Sequence, residues 1–365
     1  MSVITTVRGD IAPADLGYTS MHEHLNADMS LMLALAERYG APPMPADQLT
    51  LKNENLAFLR DGGAALSSES STVGDIDFTT AELGYFSRIG GRAVCDASPI
   101  GLRGDVRALR TASERADVHV VFATGLYVAD ARPAGYQDMT EDEQVAFFRR
   151  EVTDGVGDTG LRPGFLKCAL STTDPSAPLQ LAETTTLRAI ARVSAETGLS
   201  VHVHTAFPMS LTQVLAGVDI ALDAGMSVDR LVMMHMDSFF RPWDAMAAYV
   251  GDMETPRTIT TETARAVLDR GANVGLDAWS STVALLPDDF DRMKGLVDLL
   301  RGGYGDQIVL GHDTTSKPHG KSYGGYGYTR FGQFVPPMLR QLGFDDDAYR
   351  RLVIDNPARI LAHEA

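Results

Sequence analysis

The sequence predicts an α/β fold, a distorted (β/α)8 TIM barrel with an insert after its first strand. Two observations carry this. Short β-rich runs alternate with amphipathic helical stretches at intervals of roughly 30–40 residues, the length of one βα unit. Eight such runs follow one another, and eight units close into a barrel. The rival, an open doubly wound sheet, would carry G-x-G-x-x-G after its first strand, and none stands there.

The elements follow in order. The first strand reads over 17–22. The stretch 26–90 is the least regular and reads as the insert, with helices around 30–39 and 53–60. Strands follow at 92–97, 118–125 and 164–169. The clearest unit comes next: Leu187, Ile190, Ala191 and Ala195 share one helix face, Gly198 offers a stop, and 199–204 reads as a strand. Leu211, Val214, Leu215, Val218 and Leu222 repeat the stripe up to Gly225, before a strand at 231–235. A helix at about 261–270 ends at Gly271 and leads into 273–277, and a helix at about 287–301 leads into 307–313. A long loop, 313–334, follows the last strand. Asn356-Pro357 reads as an N-cap with proline at the first helical position. The whole chain, 1–365, reads as a single barrel domain.

Composition narrows the function. With 32 Lys+Arg against 48 Asp+Glu, the 365 residues carry a formal net charge of −16. Such a chain offers no basic surface to release counterions from phosphates, which excludes a nucleic-acid partner and docking on an anionic membrane. No apolar run approaches the ~18 residues of a membrane span, and no charged-then-apolar leader opens the chain. The two cysteines, Cys95 and Cys168, sit inside apolar strand-like runs and fit a reducing cytoplasm. The expectation is a cytoplasmic protein acting on a small molecule.

Barrel chemistry gathers at the C-terminal ends of the strands. Read in order, those ends carry His22 and His24, Lys167, His204, His235 and Asp313. In His22-Glu23-His24 the two imidazoles, two residues apart on a strand, share a side and can face one ion while Glu23 points away. Lys167 lies in Phe-Leu-Lys-Cys-Ala-Leu, where burial lowers the pKa toward a neutral amine. A neutral amine can form a Schiff base with a carbonyl substrate, or take up carbon dioxide as a carbamate able to bridge metals. A paired or snorkelling structural lysine is the plain alternative. The four histidines and the aspartate at neighbouring ends favour the carbamate. His204 is the ligand of its strand, and His202, one layer deeper, reads as a hydrogen-bonded core residue. His312 should point away from the axis; His119, His319 and His363 are not offered as ligands.

These segments, 17–25, 164–167, 197–205 and 355–359, resemble the phosphotriesterase family, including its phosphotriesterase-like lactonases, within the amidohydrolase superfamily. The resemblance runs from about 17 to 362 and is thinnest over 26–90. It implies two divalent metal ions per chain, zinc foremost, with manganese, cobalt and iron also suited to these ligands. His22, His24 and Asp313 would hold the more buried ion, and His204 and His235 the other. Lys167, carboxylated to N6-carboxylysine, and a hydroxide would bridge them; some relatives carry glutamate in place of this lysine. The implied catalytic set is Asp313, which takes the proton, Lys167, and Tyr127, which matches an aromatic lining the lactonase site.

The implied reaction is hydrolysis of a lactone or carboxylic ester, with phosphotriesterase activity as a side reaction. An N-acyl amide is the alternative, and a metal-independent Schiff-base lyase using Lys167 is a third reading. Lys317, His319, Lys321 and Arg330, concentrated after the last strand of an otherwise acidic chain, suggest an anionic substrate such as a phosphorylated sugar lactone. Tyr326 and Trp279 are further expected pocket residues, as is Asp277. A homodimer is expected from the resemblance alone.

Overall fold

The computed structural model describes residues 2–31, 33–34, 43–281 and 286–364. Eight parallel strands form one sheet: β1 (Thr19–Glu23), β2 (Ala93–Asp96), β3 (His119–Thr124), β4 (Phe165–Leu170), β5 (Val201–Thr205), β6 (Leu231–Met233), β7 (Asn273–Leu276) and β8 (Ile308–Leu310). Each pairs with the next in chain order, from β1 through to β8. Nearly every strand residue is buried, as strands covered by helices outside and a packed interior must be. Met21, Cys95, Ala123, Phe165, Val232 and Val309 belong to one interior cluster, closed below by Ile4, Leu16 and Ile360. Cys95 and Cys168 are buried free thiols.

The ring closes between β1 and β8 without a regular ladder. The amides of His312 and Asp313 both donate to the carbonyl of His22, at 3.3 and 3.0 Å. Glu23, fully buried, accepts from the His312 amide (3.0 Å), from His312 Nδ1 (2.5 Å) and from the Thr314 amide (3.2 Å). The stitch demands close approach: a Cβ on Gly311 would come within 2.9 Å of the backbone of His22.

Local chemistry starts and stops the helices. Thr140 with Glu143, Ser210 with Gln213, and Asp288 with Asp291 form capping boxes at the helices Glu141–Asp154, Leu211–Asp223 and Asp289–Arg301. Gly198 ends Leu181–Thr197 in the left-handed conformation, φ 74°.

Five features of the structure differ from the sequence reading. A hairpin, Ser2–Thr6 with Gly9–Ile11, precedes β1 and pairs with His363–Glu364, forming a cover under the barrel that no periodicity announced. The irregular stretch ends earlier than 90, because Ile76–Arg88 is a regular helix, capped by Asp75 and packed on the helix Val106–Ala116. Within that stretch the helix expected at 53–60 is a 3-10 turn followed by Leu56–Arg60, whereas most of 30–39 lies outside the described residues. Asn356 is not an N-cap. The chain is already helical before it, and its buried amide instead donates to the carbonyls of Gly305 and Ile308, both at 2.8 Å. Finally, the connection after β8 is three short 3-10 turns, and the helix Arg330–Gln341 begins inside the expected loop. Among the described residues no helix is long and apolar enough to cross a membrane.

Candidate metal centre

The strand ends bring His22, His24, Lys167, His204, His235 and Asp313 together. His24 Nε2 and His22 Nε2 lie 3.1 and 3.5 Å from Asp313 Oδ1, and His235 Nδ1 lies 3.9 Å from Oδ2. Lys167 Nζ stands 3.4 Å from His22 Nε2, and His204 Nδ1 stands 2.9 Å from His235 Nε2. His22, His24 and Asp313 offer one set of ligand atoms close enough to share an ion. His235 and Asp313 hold left-handed backbones, φ 62° and 51°, a conformation rare outside glycine that recurs at functional sites. Lys167 is 1% exposed, and its backbone is approached so closely that a Cβ on Gly125 would sit 1.8 Å from the Lys167 carbonyl oxygen.

Neighbours fix the histidines. Asp277, buried at the end of β7, accepts from His22 Nδ1 at 2.7 Å, and from His235 Nδ1 and the His235 amide at 2.9 Å. Both rings therefore carry their proton on Nδ1 and present a bare Nε2. His24 Nδ1 donates to Ser98 Oγ (2.8 Å), whose hydroxyl donates to Asp96 Oδ1 (2.5 Å). Asp277 is itself braced: Asp237 accepts the amides of Asp277 and Ala278 and pairs with the fully buried Arg292. Asp277 and Ser98 are thus part of the centre, although the sequence reading placed Asp277 only in the pocket and did not single out Ser98.

The electrostatics suit a cation. Burial would raise Asp313 and Asp277, but the facing imidazoles hold both carboxyls well below the usual range. Burial, then the neighbouring Lys167, pushes His22 down to about 4, and burial with His235 beside it lowers His204. Burial lowers Lys167 to about 8. His202 lies deeper: it pairs in register with Lys167, stacks on Phe165 and has a buried Nδ1 without a partner. His312 stacks on Phe331 and is among the residues lining the cavity above the centre.

Above the centre opens a cavity of about 880 Å³, lined by His204, His235 and Asp313. Tyr127 lines it too, its ring edge-on to His204 at 5.4 Å. Burial and the Asp313 charge raise this phenol above its ordinary value, so it stays protonated. Much of the remaining wall is apolar, with Met29, Leu31, Val128, Phe207 and Leu286.

The expected substrate residues are elsewhere. None of Lys317, Lys321, Arg330, Tyr326 and Trp279 lines the cavity. Arg330 pairs with Asp289 at 2.5 Å and stacks between Tyr326 and Phe334. The Lys321 amine lies over Tyr85, Lys317 sits partly exposed on a 3-10 turn, and Tyr326 is exposed. Trp279 is fully buried and donates to the Leu276 carbonyl. Asp277 points down to the histidines rather than into the cavity. The cavity takes from that segment His319 instead, whose Nδ1 is held by Ser316 at 2.7 Å.

With this geometry in place, the comparisons become specific. The model of the phosphotriesterase family matches residues 2–361. An N-acetyltaurine hydrolase of Xenopus tropicalis is 25% identical over 98% of this chain and 97% of its own. A resiniferatoxin-binding protein from Rhodobacter sphaeroides superimposes with a TM-score of 0.82 at 26% identity, over 98% of this chain and 94% of the other. A lactonase from Listeria monocytogenes covers both chains completely with a TM-score of 0.74, at 22% identity, a likeness of fold.

Proposed function

The chain belongs to the phosphotriesterase family of hydrolytic enzymes, and from that premise we propose that it hydrolyses a lactone or carboxylic ester at a pair of divalent ions. One observation carries the reading. Imidazole nitrogens converge in two places, at Asp313 and between His204 and His235, with a buried amine beside them. The two imidazoles share a hydrogen bond at 2.9 Å, and a small opening of that distance would let both nitrogens face one ion. His22, His24 and Asp313 would hold one ion, and His204 and His235 the other. Lys167, its amine lowered to about 8 by burial, would add carbon dioxide with loss of a proton and so supply a further carboxylate ligand. Such ions polarise the scissile carbonyl and lower the pKa of the attacking water.

The protein does the rest. Asp277 and Ser98 hold the imidazoles in one tautomer, and Asp313, partly open to the cavity, takes the proton of the attacking water. Tyr127 walls the site as a neutral phenol that can donate to the substrate oxygen. No lysine or arginine is among the described residues of the wall, while the carboxylate Asp130 is, which argues against the anionic substrate expected from the loop cations. A Schiff base at Lys167 would need the amine in the cavity, yet the residue is 1% exposed and does not line it. The name shared by several relatives, N-acetyltaurine hydrolase, favours amide cleavage as the second reading.

Elemental analysis of protein purified without chelators tests the centre. The expected result is about two divalent ions per chain, as a two-metal site requires, with turnover abolished in Lys167→Ala and Asp313→Asn while both still fold. No metal, with no uptake of added metal and bicarbonate, overturns it. A panel of lactones, esters and N-acyl amides separates the two bonds, and amide cleavage alone would replace the first reading with the second.

A further inference from the structure

Among the described residues, three of the four non-glycine residues with left-handed backbones line the cavity. Two, His235 and Asp313, belong to the metal centre; the third is Ser280, φ 76°. Ser280 stands just past the end of β7, and nothing in the centre requires it to be there. Its conformation is imposed by charge. The Ser280 amide donates to Asp289 Oδ1 at 2.9 Å, and Asp289 is gripped by Arg292 (3.3 Å) and Arg330 (2.5 Å). Arg292 is fully buried and runs on to Asp237, which holds the amides of Asp277 and Ala278. A chain of ions thus fixes the β7 end twice, once under the histidines and once at Ser280. What it presents to the cavity is a hydroxyl. Ser238, just past β6, lines the same wall, and among the described residues neither serine hydroxyl has a hydrogen-bond partner. In the ring order β7 lies across from β3, whose end brings Tyr127, Val128 and Asp130 to the cavity, so the serine wall faces a phenol and a carboxylate and no cation.

We propose that Ser280, with Ser238 beside it, is the specificity-determining contact of this cavity, and that it takes a neutral hydrogen-bonding group of the substrate, a hydroxyl or carboxamide, rather than an anion. The inference rests on the hydrolase reading above. A mostly apolar pocket orients its ligand by a few placed polar groups, and no lysine or arginine is among the described residues lining this one. Hydroxyls that lose their water to a ligand without a matching group are left unpaired, so the site discriminates against it.

The test compares γ-butyrolactone with its α-hydroxy derivative on the metal-loaded enzyme. The wild type should favour the hydroxylated lactone by about tenfold in kcat/KM, the scale of one hydrogen bond. Ser280→Ala should bring the ratio to about one, through KM, with metal content unchanged. Ser280→Gly should do the same without lowering the melting temperature, because glycine adopts φ 76° without strain. A wild-type ratio near one, a ratio retained in Ser280→Ala, or a phosphorylated lactone preferred to the hydroxy-lactone would each overturn the proposal alone. A metal-loaded wild type that opens no lactone and no ester overturns the lactone-and-ester reading, and the proposal with it.

Discussion

The floor of the cavity and the segment after β8 were both read from the sequence as parts of one site, and they met different ends. His22, Lys167 and His204 stand on strands, where successive side chains alternate faces, so being placed on β1, β4 and β5 already aims them at the axis. Lys317, Lys321 and Arg330 stand on 3-10 turns and at the start of a helix, where nothing local sets the direction. Arg330 is drawn to Asp289 and two aromatic rings, and the Lys321 amine lies over Tyr85. A charge on a strand end is committed by the backbone. A charge on a connection goes to whichever partner the tertiary fold supplies.

If the floor is committed by burial, Lys167 should cost the metal-free protein stability whenever it is charged. Its pKa falls from 10.5 in the unfolded chain to about 8 in the fold. Between those values the unfolded chain binds more protons, so stability rises with pH across that window and is lost as pH falls back to 8. The size is about 3 kcal/mol at ~1.36 kcal/mol per pH unit. Urea melts of metal-free wild type and Lys167→Met at pH 8 and 10.5 check this: only the wild type should gain. Equal gains would show that the floor tolerates the charge.

Asp277→Asn sharpens the comparison at the next level. An amide keeps the shape but cannot accept from both His22 and His235. Metal affinity, measured by competition with a chelator, should fall ~10–100-fold, the usual cost of losing such an orienting group. An unchanged affinity would mean that the strands alone aim the imidazoles. The smallest effect is expected on the segment after β8. Lys317→Ala and Lys321→Ala should leave kcat/KM for any turned-over ester within about twofold, surface changes away from special features being mild. A larger loss, confined to anionic esters, would return these lysines to the site.

Other features were illegible for similar reasons. The hairpin Ser2–Thr6 and Gly9–Ile11 is short, and it finds His363–Glu364 only once the two ends of the chain meet under the barrel. Trp279 follows Asp277 and Ala278 closely enough to suggest a pocket wall, but its indole turns inward to the Leu276 carbonyl. Asn356 carried a capping pattern, yet its amide closes two carbonyls near β8 because the helix had already begun. His319 stood in the cationic cluster read after the last strand, and the path of the turns after β8 brings it alone of that cluster to the cavity.

The sequence by itself determined the barrel and the aim of its floor, because the periods of strand and helix are local and strand ends can be counted. Only the tertiary structure decided what each aimed group rests on. Asp277 reaches His22 across 255 positions of chain, and Glu23 reaches His312 across 289, both because the ring closes between β1 and β8. Which carboxylate a ring nitrogen or a guanidinium finds depends on that closure and on packing, and no local pattern encodes either.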